Sequence, residues 1–212
     1  MKNTKKLVTL GLLSAVLIVL SFTPLGYLNL GPLAITFNPI AVAIAACAYG
    51  ISGGMIIGGV FGLTSFLQCF GGSALGTALF AVNPVLTAVQ CFVPRILDGL
   101  VIGFLSDMMK KASVHAYVNF SVTGFLSAFL NTVFYMSSLI LLFGQSEVIM
   151  NYRTSLAPGK NVFLFVCAFV GVNAISEWIT TTVITAPVAY ALKTSGLIAY
   201  PRTDVKAANA SC

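Results

Sequence analysis

Of 212 residues, 58% are hydrophobic and only 8% charged, with a mean hydropathy of +0.99, whereas a soluble domain devotes about a quarter of its residues to charge. That balance excludes a soluble globular protein and leaves an integral membrane protein of one domain, residues 1–212, with short tails at 1–6 and about 195–212. The net charge of +6 does not point to nucleic acid, because the basic residues stand at the ends of apolar runs, where they act as topology signals.

The first run, "MKNTKKLVTLGLLSAVLIVLSF", has the basic start and apolar core of a signal peptide. Pro24 directly after Thr23 disfavours cleavage there and more apolar runs follow, so it reads as a retained first helix. Breaks at Pro, Gly and charge clusters then give spans near Lys6–Phe22, Ile35–Gly50, Gly54–Gln68, Asn83–Met109, Tyr117–Phe143 and Val162–Leu192. The expectation is an all-α compact bundle of six transmembrane helices. Its second and third helices fall short of the roughly 20 residues a bilayer requires. With both termini cytoplasmic, Lys2, Lys5, Lys6, Lys110, Lys111, Lys193, Arg202 and Lys206 lie inside and only Arg153 and Lys160 outside, a clear positive-inside bias. Three external connections follow: Thr23–Ala34, the Gly-rich Cys69–Val82, read as a flexible cover or a loose turn, and Gly144–Asn161.

Small residues mark two helices. On the third span Gly50, Gly54, Gly58 and Gly62 recur every four residues, which lets a neighbouring helix approach closely. On the first, Gly11 and Ala15 share that spacing and form a groove that suits a second protein. The five cysteines show no CxxC pair and no neighbouring histidine, so they read as apolar filler and no metal site is expected. His115, beside Lys110 and Lys111, reads as a solvated loop residue.

Intramembrane polar groups are costly and face an interior, a cavity or a partner. On the fourth span Asn83, Thr87, Cys91 and Arg95 form one row and Gln90, Pro94 and Asp98 the next. Pro94 frees the carbonyl of Gln90 and bends the helix beside Arg95. The fifth span carries Ser121, Gly124, Ala128, Asn131, Tyr135 and Ser138 in steps of three and four; the sixth carries Asn173, Glu177 and Thr181, with Trp178 alongside. The first three spans carry almost nothing polar beyond Gln68. A polar site is therefore expected among helices four to six, built from Gln68, Asn83, Thr87, Gln90, Arg95, Asn131, Tyr135, Asn173 and Glu177. Two readings of its charges stand side by side: an ion cluster of Arg95 with Asp98 and Glu177 that locks helices four and six, or Arg95 offering its fork to a substrate carboxylate. No HExxH, GxSxG or P-loop is present, so neither a metalloprotease nor an ATP-driven motor is encoded; the expectation is a transport subunit and not an enzyme, with no cofactor.

The six short spans, the Gly11/Ala15 helix, "PLGYLNLGPLAITFNPIAVAIAACAYG", "GGVFGLTSF" and "VPRILDGLVIGFL" together resemble the substrate-binding S component of energy-coupling factor (ECF) vitamin transporters. "FGLTSFLQCFGGSALG" and "PRILDG" look most like the pantothenate-type members. The resemblance implies a subunit in a bacterial cell membrane that binds a vitamin near the outer surface, between helices four to six and under the loops after helices one and three. It implies toppling in the membrane on a transmembrane scaffold subunit with two ATPase subunits, and docking through the counterpart of an AxxxA pattern at Gly11 and Ala15. Beside it stand an S component for another micronutrient (folate, riboflavin or thiamine, the last drawn to Glu177 and Trp178) and a stand-alone proton-coupled carrier working through Glu177 and Arg95.

Overall fold

The computed structural model describes residues 2–23, 27–29, 34–156, 162–198 and 200. The described residues are helical apart from one small ribbon and short turns. Its elements run α1 (Lys2–Phe22), β1 (Tyr27–Asn29), β2 (Ala34–Thr36), α2 (Asn38–Gln68), α3 (Ala74–Val82), α4 (Pro84–Lys111), α5 (Ala116–Phe143), α6 (Glu147–Leu156) and α7 (Val162–Thr194). The strands pair antiparallel, Tyr27 opposite Thr36. The rest of the Thr23–Ala34 connection, the end of Gly144–Asn161, and the positions of Lys160, Arg202, Lys206 and Cys212 lie outside the described residues.

The expected second and third spans form a single helical stretch with no loop between them, yet they are two antiparallel arms. Gly50 breaks α2 with φ +61 and ψ −143, a backbone conformation that only glycine enters cheaply. Ser21 Oγ donates to Thr64 Oγ1 at 3.1 Å and accepts from Asn38 Nδ2 at 3.1 Å. In a straight helix Asn38 and Thr64 would stand about 39 Å apart, so the chain doubles back at Gly50. This buried Ser21–Asn38–Thr64 cluster also corrects the expectation that the first three spans are nearly devoid of polar side chains: three short groups far apart in sequence satisfy one another.

The glycine row does what its spacing requires. A Cβ on Gly54 would run into the carbonyl of Gly99, one on Gly58 into the carbonyl of Arg95, and one on Gly62 would meet Phe92 Cδ1 at 2.9 Å. The second arm of α2 and α4 thus pack backbone to backbone, antiparallel. Gly59, off that row, faces open space. Leu10, Leu13 and Leu17 of α1 complete this half of the bundle against Ile40, Ile44, Ile57 and Phe61.

Outside surfaces are apolar and the interior carries the polar groups, the reverse of a soluble bundle. On α4 the exposed face is Val85, Val89, Val93, Leu97, Leu100, Phe104 and Met108, while Thr87, Gln90, Arg95, Asp98 and Ser106 are buried. Among the described residues four helical stretches are long and apolar enough to cross a membrane: Thr4–Phe22, Asn38–Gln68, Pro84–Lys111 and Ala116–Phe143.

The two ends of the bundle differ. At one, Lys6 Nζ donates to Ser52 Oγ beside the α2 turn (2.7 Å), Lys110 pairs with Asp107 (3.1 Å), and Lys193 lies over Tyr190 and Tyr200. Lys5 and Lys111 adjoin them in sequence, so this end is basic. At the other, the connection expected to be a flexible cover or a loose turn contains α3, and the Gly144–Asn161 connection contains α6. Ser73 Oγ caps α3 by accepting from Gly76 N at 3.2 Å. Leu75 and Leu79 then bury themselves against Met136, Leu139 and Phe143 of α5 and Ile149 of α6. The segment Cys69–Val82 is thus a short turn and a packed helix, because its small residues alternate with leucines on one helical face.

Candidate functional site

Arg95 of α4, Asn131 of α5 and Glu177 of α7 each stand about 24 Å of helix rise from the basic end, counted from Lys111, His115 and Lys193. They share one level, and it lies toward the end covered by the ribbon, α3 and α6. Arg95 is 8% exposed. Its guanidinium lies 4.4 Å from the ring centre of Tyr135 and 5.2 Å from that of Phe61, so aromatic faces partly replace the water it has lost. Nη1 donates to the carbonyl of Gln90 at 3.0 Å, the acceptor that Pro94 releases from the helix ladder. Nε is buried without a partner.

No ion pair forms between Arg95 and either carboxylate. Asp98 accepts from Ser127 Oγ at 3.4 Å through Oδ2, and its Oδ1 is unpartnered. Glu177 Oε1 accepts from the backbone N–H of Thr36 at 2.7 Å. Among the described residues the ion pair is Lys110–Asp107. The expected locking cluster of Arg95, Asp98 and Glu177 is therefore corrected: Arg95 is held by the Gln90 carbonyl and the Tyr135 ring, and the ribbon claims Glu177.

Around Arg95 the acceptors are amides. Gln90 is 1% exposed; its Nε2 donates to the carbonyl of Tyr135 at 2.9 Å while its Oε1 is buried and unpartnered. Asn131 Oδ1 is likewise buried without a partner. A buried polar atom left unbonded costs about 1–3 kcal/mol, so such atoms of both polarities within two helical turns of one another make this a candidate place for a polar molecule. The site thus gathers Gln90, Arg95, Asn131 and Tyr135, with Glu177 fastening the ribbon beside them.

Other expected site residues have structural employment. Asn83 caps α4, its Oδ1 accepting from Val85 N and Leu86 N at 3.0 and 3.1 Å. Thr87 is buried and donates to the carbonyl of Asn83 at 2.9 Å. Gln68 Nε2 donates to the carbonyl of Ser21, tying α2 to α1. The backbone of Asn173 belongs to α7, and its side chain lies outside the described residues. Ser121 is half-buried and turned back on Tyr117 O. Besides Asn131, α5 buries Asn119, Thr123 and Ser127, which escaped the sequence reading, although a row beginning at Asn119 carries the same four-residue signal.

The sequence matches the family described as "ECF transporter, substrate-specific component" over residues 5–189. The chain belongs to that family. It is 31% identical over 198 residues to "Pantothenate transporter PanT" of Leuconostoc mesenteroides subsp. mesenteroides, spanning 90% of this chain and 93% of that one. With its apolar exterior and membrane-length helices, the family member described here is a multi-pass membrane protein that serves in transport, not an enzyme. The family also accounts for the general kind of partner, a vitamin-like substrate and the rest of an ECF transporter.

Proposed function

We propose that this chain is the pantothenate-binding S component of an ECF-type importer in a bacterial cell membrane, a bundle crossing six times with both termini inside. The observation that carries the substrate is the buried Arg95 with no carboxylate partner, beside two unpartnered amide oxygens. A buried charge left without a counter-charge is strongly destabilising; an anionic ligand supplies the missing partner. Pantothenate brings one carboxylate for the guanidinium, and an amide N–H and two hydroxyls that donate to Gln90 Oε1 and Asn131 Oδ1. The cationic alternative, thiamine, has less to meet it, because Glu177 Oε1 is engaged by Thr36 N and Trp178 packs edge-on against Phe125 and Phe129. The relative's name supports the same substrate.

The orientation rests on the basic end, which the positive-inside bias sets in the cytoplasm. The site then opens toward the outside under the ribbon, α3 and α6. Delivery belongs to a transmembrane scaffold and two ATPases, on which the subunit topples. Gly11 and Ala15 are both exposed on α1, with nothing within 4 Å of a Cβ built on Gly11, which suits them to scaffold docking.

Calorimetry of the purified chain with pantothenate tests the substrate: tight binding of one equivalent is expected, and no heat with pantothenate but heat with thiamine or riboflavin would reassign it. Proteoliposomes holding this chain alone should accumulate no pantothenate; accumulation driven by a proton gradient would instead make it a stand-alone carrier.

A further inference from the structure

We propose that Cys69 and Cys91 are a reversible dithiol that closes to a disulfide and fastens the start of α3 to α4. Their sulfurs are 3.8 Å apart and both side chains are buried. Each is a free thiol. They come from different elements: Cys69 caps the end of α2, where the chain turns toward α3, and Cys91 stands on the inward face of α4 one turn from Arg95. Beyond its contact with Cys91, Cys69 Sγ donates to the carbonyl of Ser65 at 3.4 Å, a bond that closure gives up.

A disulfide requires about 2.05 Å between sulfurs, so the pair must close by a little under 2 Å. Cys91 is held two turns inside α4, and the movement falls to Cys69. Just beyond it Gly71 bends the backbone at φ +133 with open space around it, so this turn has room to shift on that side. The bond would bear directly on α3, since a Cβ on Gly76 would sit 3.0 Å from Cys69 Sγ. The pair lies at the end away from the lysines. In the orientation proposed above that end faces outside, where oxidants are available and disulfides persist; the identity of the vitamin has no part in the argument.

The chemistry needs one peroxide-class oxidant. One thiolate attacks a peroxide oxygen, the O–O bond breaks, and a sulfenic acid and water form. The second thiol's sulfur then attacks the sulfenic sulfur; the S–S bond forms, the S–O bond breaks, and a second water leaves. Both sulfurs are oxidised and the peroxide is reduced. A dithiol reductant such as dithiothreitol reverses the step by exchange.

The test uses the full chain in lipid nanodiscs treated with hydrogen peroxide, then alkylated and digested. The expected product is one peptide pair joined through Cys69 and Cys91, two hydrogens lighter than the reduced pair and released by dithiothreitol, with Cys47 unlinked. Oxidation should also slow amide hydrogen exchange across residues 74–82 by about fivefold or more, reversibly in the wild type and not at all in Cys69→Ser or Cys91→Ser. Recovery of both cysteines unlinked from peroxide-treated, folded wild type would overturn the proposal. So would equal slowing of exchange in either serine variant. The wild-type arm stands without the variants, so a variant that fails to fold leaves the test decisive.

Discussion

On the proposed reading, Arg95 is a side chain prepared for an anion. Pro94 removes a helix bond, the freed Gln90 carbonyl takes Nη1, two rings shield the plane, and Nε is left without a protein acceptor. Arg95→Ala should weaken pantothenate binding about 30- to 100-fold, the scale of a charge-assisted hydrogen bond worth about 2–3 kcal/mol. Arg95→Lys should recover only part, because a point charge cannot reproduce the planar fork; binding isotherms of the three proteins check this, and an Ala variant with native affinity removes Arg95 from the site. Glu177 makes a separable case. Glu177→Gln keeps an oxygen to accept from Thr36 N, so pantothenate affinity should stay within about threefold, whereas Glu177→Ala should speed ligand release measured by stopped-flow. A large loss with Gln would mean that the charge itself matters. The polar stripe of α4 and the role of Pro94 were legible in the sequence, since both follow from helical period and the missing proline N–H. Which group Glu177 meets was not, because Thr36 is remote in the chain.

At the scale of the element, α2 shows a helical stretch folded into a hairpin by one glycine. Gly50→Ala faces two costs: a non-glycine residue at φ +61 and ψ −143 carries about 1–3 kcal/mol of strain, and the carboxylate of Asp107 already occupies the space its methyl would take. The melting temperature should fall by several degrees. Gly54→Ala should also destabilise, by about 1–3 kcal/mol as in other overpacked interiors, since the Gly99 carbonyl cannot move aside without parting α2 from α4. Gly59→Ala is the control, with open space around the added methyl; thermal melts in one detergent should place it within about 0.5 kcal/mol of wild type. Equal effects at Gly54 and Gly59 would show that the row is not a packing seam. The four-residue spacing announced the seam in advance. It could not announce the partner, nor that Gly50, whose carbonyl would lie 2.7 Å from a Cβ on Gly103 of α4, is the bend as well as the end of the seam.

For the molecule as a whole, the basic end and the exposed Gly11/Ala15 face assign different work to different surfaces. Gly11→Leu with Ala15→Leu should leave pantothenate affinity unchanged while abolishing co-purification with the scaffold and ATPase subunits, because larger side chains close a groove that only small residues keep open. Scaffold recovered at wild-type yield with the double variant would move the docking face elsewhere. The apolar runs, the charge at their ends and the inward polar rows were determined by the sequence alone: hydropathy, charge bias and helical period are local properties, and the bilayer enforces them segment by segment. Tertiary structure decided the rest. It folded α2 back on itself, turned a Gly-rich connection into the packed helix α3, separated Arg95 from the two carboxylates, and brought Cys69 beside Cys91. Each of these depends on contacts between residues far apart in the chain, whose positions are set by backbone close approach and by which buried polar group reaches which partner, and no periodicity within one segment encodes them.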